Sequence, residues 1–267
     1  MKKIDKKNSL SIIIIVLIVG VLVYGIKMSS KSSLKKEIPT IYVPGTSGTV
    51  GSLDGYFEIA KIKQEDILKI NIDEKNNVTE LQKVKLKPSD IKNIVIAFSD
   101  AGEDIDSMVR QSSYLQSAFE YLENKYNISN VNFIGHSNGT VALTSYFTQV
   151  KPVKYFNINK IVAIAAPYNN VSYANADDTK ESDYLKAWKK NTNGIPRNVQ
   201  LYNIYGNVNG ENNDTIVTLA TIKESEQLYP RNNIHYKEFK GNKSEAGHVE
   251  LLFNKKVVKY AESLVRE

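Results

Sequence analysis

The stretch that most constrains the fold is Val131-Asn132-Phe133-Ile134-Gly135-His136-Ser137-Asn138-Gly139-Thr140. An apolar run ends in Gly-x-Ser-x-Gly, and the helix-compatible segment Val141-Ala142-Leu143-Thr144-Ser145-Tyr146 follows at once. Strand, sharp turn and helix in that order are what give so short a motif its meaning. A serine at the tip of such a turn holds its Oγ clear of the sheet, in a backbone conformation that crowds its neighbours. Gly135 and Gly139 leave the room this needs. The helix aims free N–H groups and its positive dipole end at the same point, where an oxyanion would form. Ser137 is therefore the candidate nucleophile. A chance Gly-x-Ser-x-Gly in a loop is the competing reading, and the flanking strand and helix signals weigh against it.

The remaining pattern is one of strands alternating with helices. Thr40–Val43, Ile94–Phe98, Ile161–Pro167, Leu201–Tyr205 and His235–Phe239 read as strands, several of them continuous apolar runs of the kind buried on both faces. Leu68–Ile72 and Lys83–Leu86 alternate around Asp73-Glu74-Lys75-Asn76-Asn77 as a hairpin would. Asp106–Lys125 carries Met108, Tyr114, Leu115, Ala118, Phe119, Tyr121 and Leu122 at helical spacing, and Val257–Val265 reads as a closing helix. The expected architecture is a mostly parallel, doubly wound α/β sheet. Residues 171–198 are polar, with Asp177, Asp178, Glu181, Asp183 and the single Trp188, which suggests a cap or lid inserted into the sheet domain.

Ahead of this domain the sequence changes character. Residues 1–9 are basic, with Lys2, Lys3, Lys6 and Lys7, and Leu10–Ile26 is an uncharged apolar run of 17 residues. That length is at the short end of the range for a membrane-spanning helix, and no small-x-small cleavage site follows it. The expectation is one transmembrane signal anchor over residues 10–26, a tether over 27–37 and a catalytic domain over 38–267 outside the cytoplasm, secreted if the anchor is cleaved. Residues 1–36 hold eight lysines against Asp5, which leaves the rest of the chain at about −1 of the net +6. The basic balance thus reads as topology and lipid contact, and not as nucleic-acid binding. The absence of cysteine fits an extracytoplasmic protein without disulfides.

Three histidines compete to be the base. His136 lies in the elbow, His235 opens a strand, and His248 sits in the loop Ser244-Glu245-Ala246-Gly247-His248-Val249 after the last strand. The order Ser…Asp…His favours His248. The acid should come from the loop after Leu201–Tyr205, where Asp214 precedes the apolar pair Ile216-Val217 and Glu211 is its competitor. Its task is to accept Nδ1–H and to stabilise the imidazolium formed when Ser137 loses its proton. The backbone N–H groups of Asn138 and of Thr46, just past Gly45, are the expected oxyanion donors. The Gly45–Ser52 loop lacks the lysine of a phosphate-binding loop and lacks G-x-G-x-x-G spacing. No metal and no cofactor is implied, since the histidines lie in separate loops without ligand spacing.

These features together resemble the DUF915 cell-surface hydrolases of low-GC Gram-positive bacteria. The resemblance spans roughly residues 38–265 through Pro39–Thr49, Ile134–Gly139, Ala165–Asn169, the Asn203–Val217 acid loop and Gly247-His248. It implies an α/β-hydrolase fold. Two departures stand out: Pro44-Gly45 where that family usually has His-Gly, and Asn138 where it usually has Met. Neither removes a backbone donor. The expected activity is hydrolysis of an acyl bond, most simply a carboxylic ester, in a small-molecule or lipid substrate. Acyl transfer or peptide cleavage with the same triad, and a non-catalytic surface binding protein on the same scaffold, are the alternatives. The sequence does not define the oligomeric state.

Overall fold

The computed structural model describes residues 37–100, 102, 105–150, 156–169 and 180–266. The expected anchor over residues 10–26 therefore lies outside the described residues, as does nearly all of the tether. Among the described residues no helix is long and apolar enough to cross a membrane.

Ile38–Glu267 forms one compact unit. Its strands, β1 (Thr40–Val43), β2 (Ile67–Ile72), β3 (Val78–Gln82), β4 (Asn93–Phe98), β5 (Asn130–His136), β6 (Asn157–Ile164), β7 (Gln200–Val208) and β8 (Ile234–Gly241), make one sheet in the order β3-β2-β4-β1-β5-β6-β7-β8. Only β3 runs antiparallel to its neighbour. The first strand lies inside the sheet, paired on one side with β4 (Ile41 opposite Ile94) and on the other with β5 (Ile41 opposite Phe133). That placement brings the loop after β1 beside the elbow after β5.

The helices are α1 (Asp54–Ala60), α2 (Ile105–Tyr126), α3 (Asn138–Gln149), α4 (Asp183–Lys189), α5 (Leu219–Lys223), α6 (Lys243–Ala246) and α7 (Lys255–Arg266). They cover both faces of the sheet, and the strands alternate between two cores accordingly. Ile41, Ile94, Ile96, Phe133, Ile161 and Ala163 pack under α2 and α3. Tyr42, Val95, Ile134, Val162 and Ile164 pack under α1 and α7. Burial on both sides is why these strands read as continuous apolar runs.

Two expectations need correction. The hairpin pairs earlier than expected: Ile72 stands opposite Val78, and Lys83–Leu86 is not a strand. Asp73 Oδ1 accepts the N–H groups of Lys75 and Asn77 at 2.9 Å, which closes the turn so tightly that pairing resumes at once.

The second concerns the polar segment 171–198. Its described part, from residue 180, lies on the connection between β6 and β7 and, against the expectation from its sparse apolar content, packs a helix into the core. Helix α4 starts on a Ser182 cap, whose Oγ accepts Leu185 N–H at 3.2 Å, and buries Tyr184, Leu185 and Trp188. Trp188 is 1% exposed and its Nε1 donates to Ser145 Oγ of α3 at 3.1 Å. Close behind, Gly194 touches α3 so tightly that a Cβ there would lie 1.8 Å from the Phe147 carbonyl oxygen. The segment is sparse in apolar residues, yet three large ones share one face of a seven-residue helix.

Candidate active site

The elbow has the strained geometry its spacing implies. β5 ends at His136, α3 begins at Asn138, and Ser137 between them has φ 50° and ψ −127°. A non-glycine residue so placed costs on the order of 1–3 kcal/mol and persists only where its surroundings fix it. Ser137 N–H donates to the Ile164 carbonyl at 2.8 Å, and its own carbonyl accepts from Thr140 N–H at 3.0 Å. The two glycines are needed for closeness. A Cβ on Gly135 would lie 2.4 Å from Thr140 Oγ1, and one on Gly139 would lie 2.4 Å from the Val43 carbonyl oxygen and 2.6 Å from that of Pro44. The start of α3 thus rests on the backbone of the β1 end, and Pro44 does not lift the loop away. Among the described residues, Ser137 Oγ has no hydrogen-bond partner.

The loop after β1 reaches the same point. A Cβ on Gly45 would lie 2.9 Å from Ser137 Cβ. The loop turns back through Gly48 N–H, which donates to the Gly45 carbonyl at 2.9 Å, with Ser47 at φ 57°. The backbone N–H groups of Thr46 and Asn138 have no acceptor among the described residues. For Asn138 this follows from its place as the first residue of a helix. The Asn138 side chain donates through Nδ2 to Thr46 Oγ1 at 2.5 Å. A small cleft beside the elbow is lined by Pro44, Gly45, Thr46, Asn138 and, from beyond β4, Asp100 and Gln111.

Asp214 is fully buried in the loop after β7. Its Oδ1 accepts the N–H groups of Ile216 at 3.0 Å and Val217 at 2.7 Å, while Oδ2 lies 2.8 Å from His248 Nδ1. Its backbone carbonyl also accepts His248 N–H at 2.8 Å. One residue therefore orients both the ring and the main chain of His248. With Nδ1 donating to a carboxylate, Nε2 is left as the proton acceptor of the neutral ring. Thr215, at φ 82°, carries the strain of this tight loop. Gly206 allows the end of β7 to reach α6, since a Cβ there would lie 1.8 Å from the Ala246 carbonyl oxygen.

His136 joins the two halves. It is buried, its Nε2 lies 3.0 Å from the His248 carbonyl oxygen, and the two rings are 4.8 Å apart. Burial, reinforced by the nearby His248, pushes the His136 pKa down to about 3. The ring is therefore neutral, and Nε2 must carry the proton it gives to the carbonyl. Of the other candidates, His235 is exposed, stacks on Tyr202 and lies near Gln200 Oε1, and Glu211 is exposed. The structure thus brings together Gly45, Thr46, Gly135, His136, Ser137, Asn138 and Gly139, and joins Asp214 to His248. His136 is the member that sequence reasoning left without a task. Among the described residues no three His, Asp or Glu side chains converge as metal ligands would.

The family whose model describes an alpha/beta hydrolase of unknown function, DUF915, matches residues 27–267. The chain belongs to this family. The DUF915 chain is similar in structure to a protein of Lactobacillus plantarum WCFS1 assigned provisionally as a cell surface hydrolase, with a TM-score of 0.70, 22% identity, and 86% of this chain and 91% of that one covered. It is similar to the lin2722 product of Listeria innocua at a TM-score of 0.69 and 22% identity, covering 86% and 94%. Bacillus licheniformis lipase BlEst2 in its propeptide form gives a TM-score of 0.52 at 11% identity, covering 87% and 51%. At these identities the likenesses show the fold. No curated protein sequence matches the chain.

Proposed function

We propose that this α/β hydrolase is a serine hydrolase, tethered to the membrane and working outside the cytoplasm, that cleaves acyl bonds and carboxylic esters in the first place. The observation that carries the reading is the Asp214–His248 pair. A fully buried carboxylate holds one imidazole nitrogen at 2.8 Å while two backbone N–H groups hold its other oxygen. Such a pair, in the chain order that follows an elbow serine, fits a base that must gain and lose a proton in a fixed orientation.

In this mechanism Ser137 Oγ attacks the acyl carbon and passes its proton to His248 Nε2. Asp214 balances the imidazolium. The oxyanion takes the free N–H groups of Asn138 and Thr46, a type of contact worth about 3 kcal/mol per donor. Collapse breaks the acyl–oxygen bond, and the leaving alcohol takes the proton from His248. Water then repeats the sequence on the acyl-enzyme, releasing the acid and restoring the Ser137 hydroxyl. The substrate is a small-molecule or lipid acyl compound. The anchor over residues 10–26 and the tether over 27–37 rest on sequence alone.

The test is labelling of the purified chain with a fluorophosphonate probe beside Ser137→Ala. Labelling that vanishes in the variant supports an activated serine. An unlabelled, well-folded wild-type chain would count against catalysis and raise the non-catalytic binding reading.

A further inference from the structure

We propose that the Asn138 side chain is a latch on the Thr46 loop, so that one residue offers an oxyanion donor through its backbone and positions the other donor through its amide. The inference rests on the hydrolase reading above and deepens it.

The loop after β1 has little to hold it in place by itself. It reverses within four residues, with Ser47 at φ 57°, a conformation that side-chain-bearing residues adopt rarely. Thr46 N–H has no acceptor among the described residues, as a donor reserved for a ligand would not. The hydroxyl of the same residue, however, is bound to Asn138 Nδ2 at 2.5 Å. Lifting or rotating Thr46 would break that bond and displace the N–H together. Gly45 brings the loop to within contact of Ser137, and the latch fixes its next residue.

The amide itself indicates a use beyond packing. Asn138 is 4% exposed, and its Oδ1 is buried without a partner among the described residues. An apolar side chain of similar size would fill the position and leave no orphan atom. Exchanging the amide nitrogen and oxygen would let Thr46 donate to Oδ1 and would orphan Nδ2 instead. The link to Thr46 survives either assignment.

The experiment compares Thr46→Val, which keeps the shape and loses the hydroxyl, with Thr46→Ser, Asn138→Ala and the Thr46→Val/Asn138→Ala double variant. Turnover of p-nitrophenyl acetate, fluorophosphonate labelling rate and amide exchange at residues 45–48 are followed. Thr46→Val is expected to lower kcat about tenfold or more with KM within about twofold, the pattern of a group that acts in the transition state. Thr46→Ser should stay within about threefold of wild type, and the double variant should be no slower than the slower single one. Exchange at 45–48 should quicken in Thr46→Val and Asn138→Ala but not in Thr46→Ser. Wild-type turnover by Thr46→Val, or losses that multiply in the double variant, would overturn the latch while leaving Ser137 chemistry in place. If the wild-type chain neither labels nor turns over ester, the hydrolase reading falls and exchange decides alone: acceleration in Asn138→Ala upholds the latch, and unchanged exchange removes it.

Discussion

His136 Nε2 donates to the backbone carbonyl of His248 across 3.0 Å, so the residue before the candidate nucleophile holds the main chain of the candidate base. Either protonation state of the ring could donate this bond, but burial, with the nearby His248, outweighs it and keeps the ring neutral by pushing the pKa down to about 3. The linkage to stability has a definite sign. An unfolded histidine binds a proton below about pH 6.5, whereas this folded one stays neutral, so its contribution is complete above that pH and is lost as pH falls towards 3. The loss is on the order of 1.4 kcal/mol per pH unit within that window. His136→Gln should therefore show a shallower fall in unfolding free energy between pH 6 and pH 4 than wild type. Parallel slopes in urea titrations at both pH values would show that His136 is not the group responsible.

Asp214 and Glu211 belong to the same loop, but only Asp214 is buried against His248. Asp214→Asn should lower kcat by about 10⁴-fold, because an amide cannot balance an imidazolium and favours the wrong tautomer. Glu211→Gln should leave kcat within about twofold, since that side chain is exposed. Steady-state kinetics on a short ester decides between them, and the opposite ranking would move the acid to Glu211.

The elbow and the buried strands were legible because their signals are local. Two glycines flank a serine within five residues, and a strand buried on both faces needs no partner to betray it. The role of His136 was not legible, because its carbonyl partner lies 112 residues away and nothing in the Gly-His-Ser spelling points there. The Asn138–Thr46 bond spans 92 residues and is hidden in the same way. The buried face of helix α4 was hidden for a different reason. Averaged over residues 171–198 the apolar content is low, but Tyr184, Leu185 and Trp188 sit at i, i+1 and i+4, and burial depends on the face rather than the mean. The hairpin register slipped because an Asp73 side chain, and not strand alternation, sets where pairing resumes.

Gly139 faces two carbonyl oxygens at the end of β1, and neither can yield without moving a central strand. Gly139→Val should destabilise the fold by at least about 2 kcal/mol, as overpacking against backbone does. Ser137→Ala removes only an oxygen that has no partner among the described residues and should leave the thermal midpoint within a few degrees of wild type, by about the margin expected of a small change at one site. Thermal unfolding followed by circular dichroism compares the two. A Gly139→Val chain as stable as Ser137→Ala would contradict the close approach of α3 to β1.

Trp188 separates a crossover helix from a lid. A lid residue would govern access, so its removal would raise KM or speed product release with little effect on stability. A core residue behaves in the opposite way. Trp188 is 1% exposed, packs its ring at a tilt against that of Tyr184 with centroids 4.8 Å apart, and donates to Ser145 Oγ on α3. Trp188→Ala should therefore cost about 3–5 kcal/mol of unfolding free energy. Trp188→Phe, which keeps most of the volume and loses the indole N–H, should cost less, while KM at a permissive temperature stays within about twofold for that variant. Urea titration and steady-state kinetics on the same preparations give both numbers. A Trp188→Ala chain with unaltered stability and a several-fold change in KM would return residues 180–198 to the mouth of the site.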